Sequence, residues 1–166
     1  PDSDLSPEVR LDLSLTLARA SGVQGMVLGQ ALDIAAETAK LPLTLDEITA
    51  LQRSKTGALI EWSATAGARM AQADLAPLMS YAKALGLAFQ IADDVLDETG
   101  DSAKLGKAVG KDADAGKATF VSQLGLDAAR AKANALTEEA CDSLATYGDS
   151  AQVLKEAARF VVKRAH

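Results

Sequence analysis

Several residue types on which active sites are often built are scarce in this chain. Its 166 residues include one cysteine, one histidine and four prolines, and aromatics make up 4%. A lone thiol, Cys141, excludes an intrachain disulfide and points to a reducing compartment, so a cytoplasmic location is expected. The one histidine, His166, is the last residue, and no histidine neighbours Cys141, which argues against a thiol nucleophile. No stretch approaches eighteen unbroken apolar residues, so no membrane-spanning helix is expected. The opening Pro1-Asp2-Ser3-Asp4 is acidic and polar, unlike a secretory signal. Basic residues are also in deficit: 17 Lys and Arg against 23 Asp and Glu give a net charge of −6. That balance disfavours nucleic acid or an anionic membrane as the main partner.

What is present is an apolar fraction of 48% rich in Ala and Leu, enough to build a core in one domain. No segment alternates with period two, so the expected fold is all-α. Ser6-Pro7 opens a first helix, running to about Ala20. A second is expected over about Gly22 to Ala39, on which Gly22, Gly25 and Gly29 would share one packing face with Asp33 nearby. A buried Asp33 would need a charged or hydrogen-bonding partner. Thr44-Leu45-Asp46-Glu47 reads as a capping box opening a third helix that continues to about Met70. Thr56-Gly57 is its weak point, where either a kink exposes backbone carbonyls or Gly57 lets a neighbouring helix approach. Asp74 caps a fourth helix to about Asp97, with Pro77 harmless in its first turn. Residues 98–125, with five of the twelve glycines, read as a long loop with room for one short turn of helix. Asp127 and Ser150 would cap the last two helices, ending near Tyr147 and Lys163. About six helices result.

The sharpest feature lies at the end of the fourth helix. Gln90, Asp93, Asp94 and Asp97 fall within an arc of roughly 100°. Ala88, Ile91 and Val95 point away and can face the core. Neighbouring carboxylates about 5–6 Å apart repel by roughly 3 kcal/mol per pair at an effective dielectric of 20. Asp also gains nothing from a helix C-terminus, where the dipole favours cations. A cation would relieve the cluster, and oxygen-only ligands suit Mg²⁺ or a similar hard ion (Mn²⁺ included) rather than zinc. Downstream, Lys104, Lys107, Lys111 and Lys117 are interleaved with glycines, a pattern suited to a polyphosphate shared between metal and ammonium groups. The runs from Gly100 to Lys107 and from Gly110 to Lys117 have the wrong spacing for a phosphate-binding P-loop, and Ala follows each lysine. The Asp93–Asp101 stretch lacks the spacing of an EF-hand.

Together these segments resemble the C-terminal half of a trans-isoprenyl diphosphate synthase, the farnesyl and geranylgeranyl diphosphate synthase family. The matching segments are Gly29-Gln30-Ala31-Leu32-Asp33, Lys55-Thr56-Gly57 and Phe89 to Asp97. They continue through Gly100-Asp101, Leu105-Gly106-Lys107, Gly110-Lys111-Asp112 and Gly116-Lys117-Ala118-Thr119. The match runs in order from about Ala20 to His166.

The resemblance implies a helical bundle around a deep cavity and a short-chain prenyltransferase of the farnesyl diphosphate synthase type. Its substrates would be isopentenyl diphosphate and an allylic diphosphate. Asp93, Asp94 and Asp97 would hold Mg²⁺ as the second aspartate-rich motif, with Asp93 central to catalysis. Lys55, Lys107 and Lys117 would contact the allylic diphosphate, and Thr56 and Gln90 would line the carbocation region. Asp33 and Asp112 would surround the metal and lysine network, and Lys163 and Arg164 would approach the isopentenyl site. A homodimer is implied. The family's first aspartate-rich motif is missing from the sequence. The expectation is therefore that this chain is the C-terminal part of one larger domain, its N-terminal half removed or omitted. A degenerate non-catalytic subunit would have lost motifs that are all intact here. A terpene cyclase is the other alternative, disfavoured by the Gly-Lys series.

Overall fold

A computed structural model of the protein describes residues 4–99 and 118–163. Among these residues the fold is helical, with no strand. Helix α1 (Pro7–Ser21) is followed by α2 (Met26–Glu37) and α3 (Leu45–Gln52). A π-helical segment (Arg53–Gly57) joins α3 to α4 (Ala58–Met70), and α5 (Ala76–Thr99) is the longest element. Then come α6 (Phe120–Leu124), α7 (Leu126–Ser143), a 3₁₀ segment (Ala145–Ala151) and α8 (Gln152–Lys163). Counting α3, the π segment and α4 as one interrupted helix leaves the six expected, plus the short α6.

Local chemistry accounts for most of the boundaries. The Ser6 hydroxyl accepts the Val9 amide, and Pro7 takes the first helical position. Asp74 accepts the Ala76 amide at 3.0 Å where α5 begins. The Thr44 box forms as expected: the Thr44 amide and hydroxyl both donate to Glu47 Oε2 at 2.8 Å, and the Glu47 amide donates to Thr44 Oγ1.

Several boundaries differ from expectation. Helix α2 starts at Met26, because Gly22 and Gly25 form the turn between α1 and α2; only Gly29 is on the helix. A side chain at Gly22 would strike the Ala18 carbonyl, and one at Gly25 the Ala20 carbonyl. At the edges of the 98–125 span, α5 reaches Thr99, past the expected Asp97, and the short helical turn allowed there is α6, capped by Thr119 accepting the Ser122 amide. Asp127 sits inside the first turn of α7, since Gly125 at φ +82° has already made the turn. Helix α7 stops at Ser143, and Ser150 lies within the 3₁₀ segment, which turns at Gly148 with φ +55°.

Helix α5 is the spine. Ala88, Ile91 and Val95 are buried as the face analysis requires, and Phe120, Ala129 and Ala133 pack against this face. Nearer its N-terminus, Tyr81, Ala82 and Ala84 meet Ala140, Leu144 and Ala158. Small residues on α5 and α7 let the two helices approach closely. Tyr81 donates its hydroxyl proton to the Leu154 carbonyl at 2.8 Å, tying α5 to α8. With α7 and α8 on one face, the opposite face of α5, carrying Gln90 and the aspartates, is left for the site.

The capping box makes a pH prediction. Hydrogen bonds from Thr44 hold the Glu47 carboxyl below its ordinary range. A carboxyl lowered in the folded state adds stability above its unfolded pKa and loses that contribution as pH falls through the folded value. Thr44→Ala should therefore lower the urea midpoint at pH 7. The gap to wild type should narrow as pH drops below the ordinary glutamate range, read by circular dichroism.

Candidate functional site

The site begins with a glycine. A Cβ at Gly29 would collide with the backbone of Lys55, so only glycine lets α2 lie directly on the π segment. Four residues on, one helical turn along the same face, stands Asp33, which is 8% exposed. Its Oδ2 accepts from Lys55 Nζ at 2.7 Å. The partner required for a buried Asp33 is thus Lys55. The ammonium side chain keeps a third of its surface exposed, so Lys55 can face a ligand while anchored.

The π segment spans Arg53–Gly57, at the weak point seen in the sequence. Its wider turn replaces the i→i+4 ladder around Lys55 and Thr56. Gly57 packs against α5 at ordinary contact: a Cβ on Gly86 of α5 would stand 3.5 Å from the Gly57 Cα.

A cavity of about 380 Å³ opens between α2, α3, the π segment, α5 and the start of α6. Asp33, Lys55, Gln90, Asp93 and Asp94 line it, together with Gln52, Thr119 and the turn from Ala39 to Leu43. Five of the predicted site residues, from two helices and the π segment, therefore meet around one space. Thr56 is half-buried on the π segment and Asp97 lies on the last turn of α5, and neither lines the cavity. The three aspartates share one face of α5 without converging, and no group of three His, Cys, Asp or Glu is placed to hold a metal ion among the described residues. Asp94 has a structural duty as well: its Oδ2 accepts the Phe120 amide at 2.7 Å, fixing the start of α6 against the end of α5. The donor set at the cavity is still oxygen-rich and free of sulfur and imidazole, which fits a hard divalent cation. Lys107, Asp112, Lys117 and Arg164 lie outside the described residues, while Lys163 ends α8.

Sequence reasoning missed Gln52 and Thr119. Gln52 sits one helical turn before Lys55, a spacing that carries it toward the same cavity. Thr119 precedes Phe120, the first residue of the core helix that Asp94 anchors.

Comparison with known proteins gives this arrangement a family. The family model described as Polyprenyl synthetase matches residues 10–158. The chain belongs to the polyprenyl synthetase family. It is 41% identical to the farnesyl diphosphate synthase of Escherichia coli over 98% of this chain and 57% of that protein. It is 44% identical to the farnesyl diphosphate synthase of Geobacillus stearothermophilus over 79% of this chain and 44% of that protein. The crystal structure of an FPP/GFPP synthase from Zymomonas mobilis superposes with a TM-score of 0.83 at 45% identity, covering 94% of this chain and 52% of that one. The chain spans about half the length of the curated relatives it matches. The expected fold and family thus hold for this polyprenyl synthetase chain, and among its described residues no helix is long and apolar enough to cross a membrane.

The Gly29 contact is directly testable. Gly29→Ala should destabilise the chain by about 1–3 kcal/mol, the range for overpacking a tight contact. Urea unfolding measures it, and an unchanged midpoint would show that α2 does not rest on Lys55.

Proposed function

We propose that the protein of which this chain forms a part is a short-chain trans-prenyltransferase. It joins isopentenyl diphosphate to an allylic diphosphate, in the manner of a farnesyl diphosphate synthase. The observation that carries this reading is the Asp33–Lys55 pair facing Gln90, Asp93 and Asp94 across one cavity, in a polyprenyl synthetase chain. On this reading Asp93 and Asp94 at the cavity, with Asp97 one turn beyond them, would hold Mg²⁺ (or Mn²⁺), which would supply neutralising charge to the diphosphate.

The chain's own residues supply the rest. Lys55, held by Asp33, offers a fixed positive charge to the departing diphosphate, and Lys107 and Lys117 add to it. As the allylic C–O bond ionises, the amide oxygen of Gln90 faces the developing carbocation, and Thr56, on the π segment outside the cavity lining, keeps the role that the resemblance implies. The double bond of isopentenyl diphosphate then attacks that cation and a proton is lost. The apolar wall formed by Ala36, Leu43, Ile48 and Leu51 limits the water that would quench the cation. Asp112, Lys163 and Arg164 keep the outlying roles that the resemblance implies. A cytoplasmic homodimer completes the proposal.

We also propose that the chain is the C-terminal part of a single isoprenoid synthase domain, the first aspartate-rich motif lying on helices beyond it. The apolar side chains exposed on α1 and α2 support this reading. Leu11 is 66% exposed and Ile34 57%, and Leu15, Val27, Leu28 and Leu32 are also open. Monomers seldom leave so many apolar side chains uncovered.

Two measurements test the proposal. With radiolabelled isopentenyl diphosphate, geranyl diphosphate and Mg²⁺, the full-length protein should yield an acid-labile allylic product; no product overturns the reading. In the same assay Asp93→Ala should lower turnover by about 10²-fold or more, a loss typical of a removed charge-stabilising group, with little change in melting temperature. An unchanged turnover beside a lowered melting temperature would make Asp93 structural. The 166 residues alone should form no product and should self-associate, read by sedimentation velocity.

A further inference from the structure

A second cavity of about 210 Å³ lies between the α3–α4 helix line and α5, lined by Thr49, Gln52, Gly57, Gly86 and Leu87. Arg53, Glu61 and Lys83 complete it. Arg53 and Lys83 are exposed, so their charged ends can reach water while their aliphatic stems cover the cavity. Glycine and leucine leave little polar surface inside. The cavity is not isolated from the site. Lys83 and Leu87 line it, Gln90 and Asp94 line the first cavity, and this three- and four-residue spacing puts all four on one face of α5. The second space therefore lies on the same side of α5 as the first, its Gly86 level about 12 Å along the helix from Asp94.

Among the described residues only Gln52 lines both cavities. Its Oε1 is buried without a hydrogen-bond partner. An acceptor in that state costs stability, so nothing about folding explains a glutamine there. An apolar side chain of the same length would fill the gap at less cost.

We propose that Gln52 is a specificity-determining residue: it partitions the two cavities and stops the hydrocarbon chain of an allylic diphosphate at the boundary. The inference rests on the prenyltransfer reading above. A polar amide is a poor neighbour for a growing hydrocarbon, and its bulk closes the passage. Beyond it lies room for one more five-carbon unit, about 150 Å³ at the volume of one water per heavy atom. Replacing Gln52 with a small residue joins the two spaces.

The test uses the full-length protein with Gln52→Ala and Gln52→Met, each checked for wild-type circular dichroism. With geranyl diphosphate, isopentenyl diphosphate and Mg²⁺, Gln52→Ala should shift product toward chains one five-carbon unit longer. Gln52→Met should keep the wild-type length and raise the melting temperature, since it fills the passage without an unpaired acceptor. Binding gives a readout that needs no turnover. By calorimetry, the affinity ratio of fifteen- to ten-carbon thiolodiphosphate analogues should rise about tenfold or more in Gln52→Ala. A folded Gln52→Ala with wild-type product lengths, or an unchanged affinity ratio, overturns the partition. If the wild type forms no prenyl product, the enzymatic reading fails, and the affinity ratio still decides whether Gln52 divides the cavities.

Discussion

The contact between Gly29 and the Lys55 backbone is the constraint on which the site depends. A side chain at residue 29 would push α2 off the π segment, and Asp33 would move with it. An aspartate that is 8% exposed is compensated in part by an ammonium that meets it at 2.7 Å. Left alone it would carry the full cost of an uncompensated buried charge. The pairing works in both directions: Lys55 shields Asp33, and Asp33 takes away much of the rotamer freedom of a long side chain. A lysine restrained in this way is ready for an anion without having to be ordered first.

Helix α5 solves a different problem, that of carrying acids and core on one rod. Its buried face is built from small residues, Ala82, Ala84, Ala88 and Ala92, with Ile91 and Val95 filling the gaps. Alanine costs no side-chain entropy on burial and lets α7 come close. The low aromatic content follows from the same economy, since tightly packed alanine-rich helices leave little room for rings. Opposite lies the face of Gln90, Asp93 and Asp94. Asp94 joins the two tasks: it lines the cavity while accepting the Phe120 amide, so the acidic face is locked to the core through the fully buried Phe120.

Much of this was legible in the residues because the signals were local. Ser6-Pro7 and Thr44-x-x-Glu47 name their own helix starts, and the periodicity of α5 separates the Ile91 face from the Asp94 face. Asp33 announced a need for a partner, but nothing local said that the partner would be Lys55, 22 residues away. That link required α2 to be seated on the π segment. The turn at Gly22–Gly25 was hidden because glycines three and four apart mimic a helical packing face. The π segment has no residue code of its own; Thr56-Gly57 marked a weakness, and the neighbouring helices decided its form. Gln52 was invisible for a further reason: a polar residue on a helix usually faces water, and only its burial between two cavities gives it meaning.

The exposed apolar residues show where periodicity reaches its limit. Leu11 and Leu15 on α1, and Leu28 and Leu32 on α2, recur at the four-residue spacing of a core stripe, yet all four are exposed. Binary pattern reports which face a helix wants covered, not what covers it. The same helices do bury a few residues against the rest: Val9 on α1, and Gly29 and Asp33 on α2. Helix α2 therefore meets its own bundle through a glycine and an ion pair, and its leucines are left over. A helix docked by polar and backbone contacts alone is held weakly, since apolar burial supplies most of the free energy of packing. If further helices of the same domain cover those leucines, as proposed above, that apolar burial would add to the ion pair in seating Asp33 on Lys55.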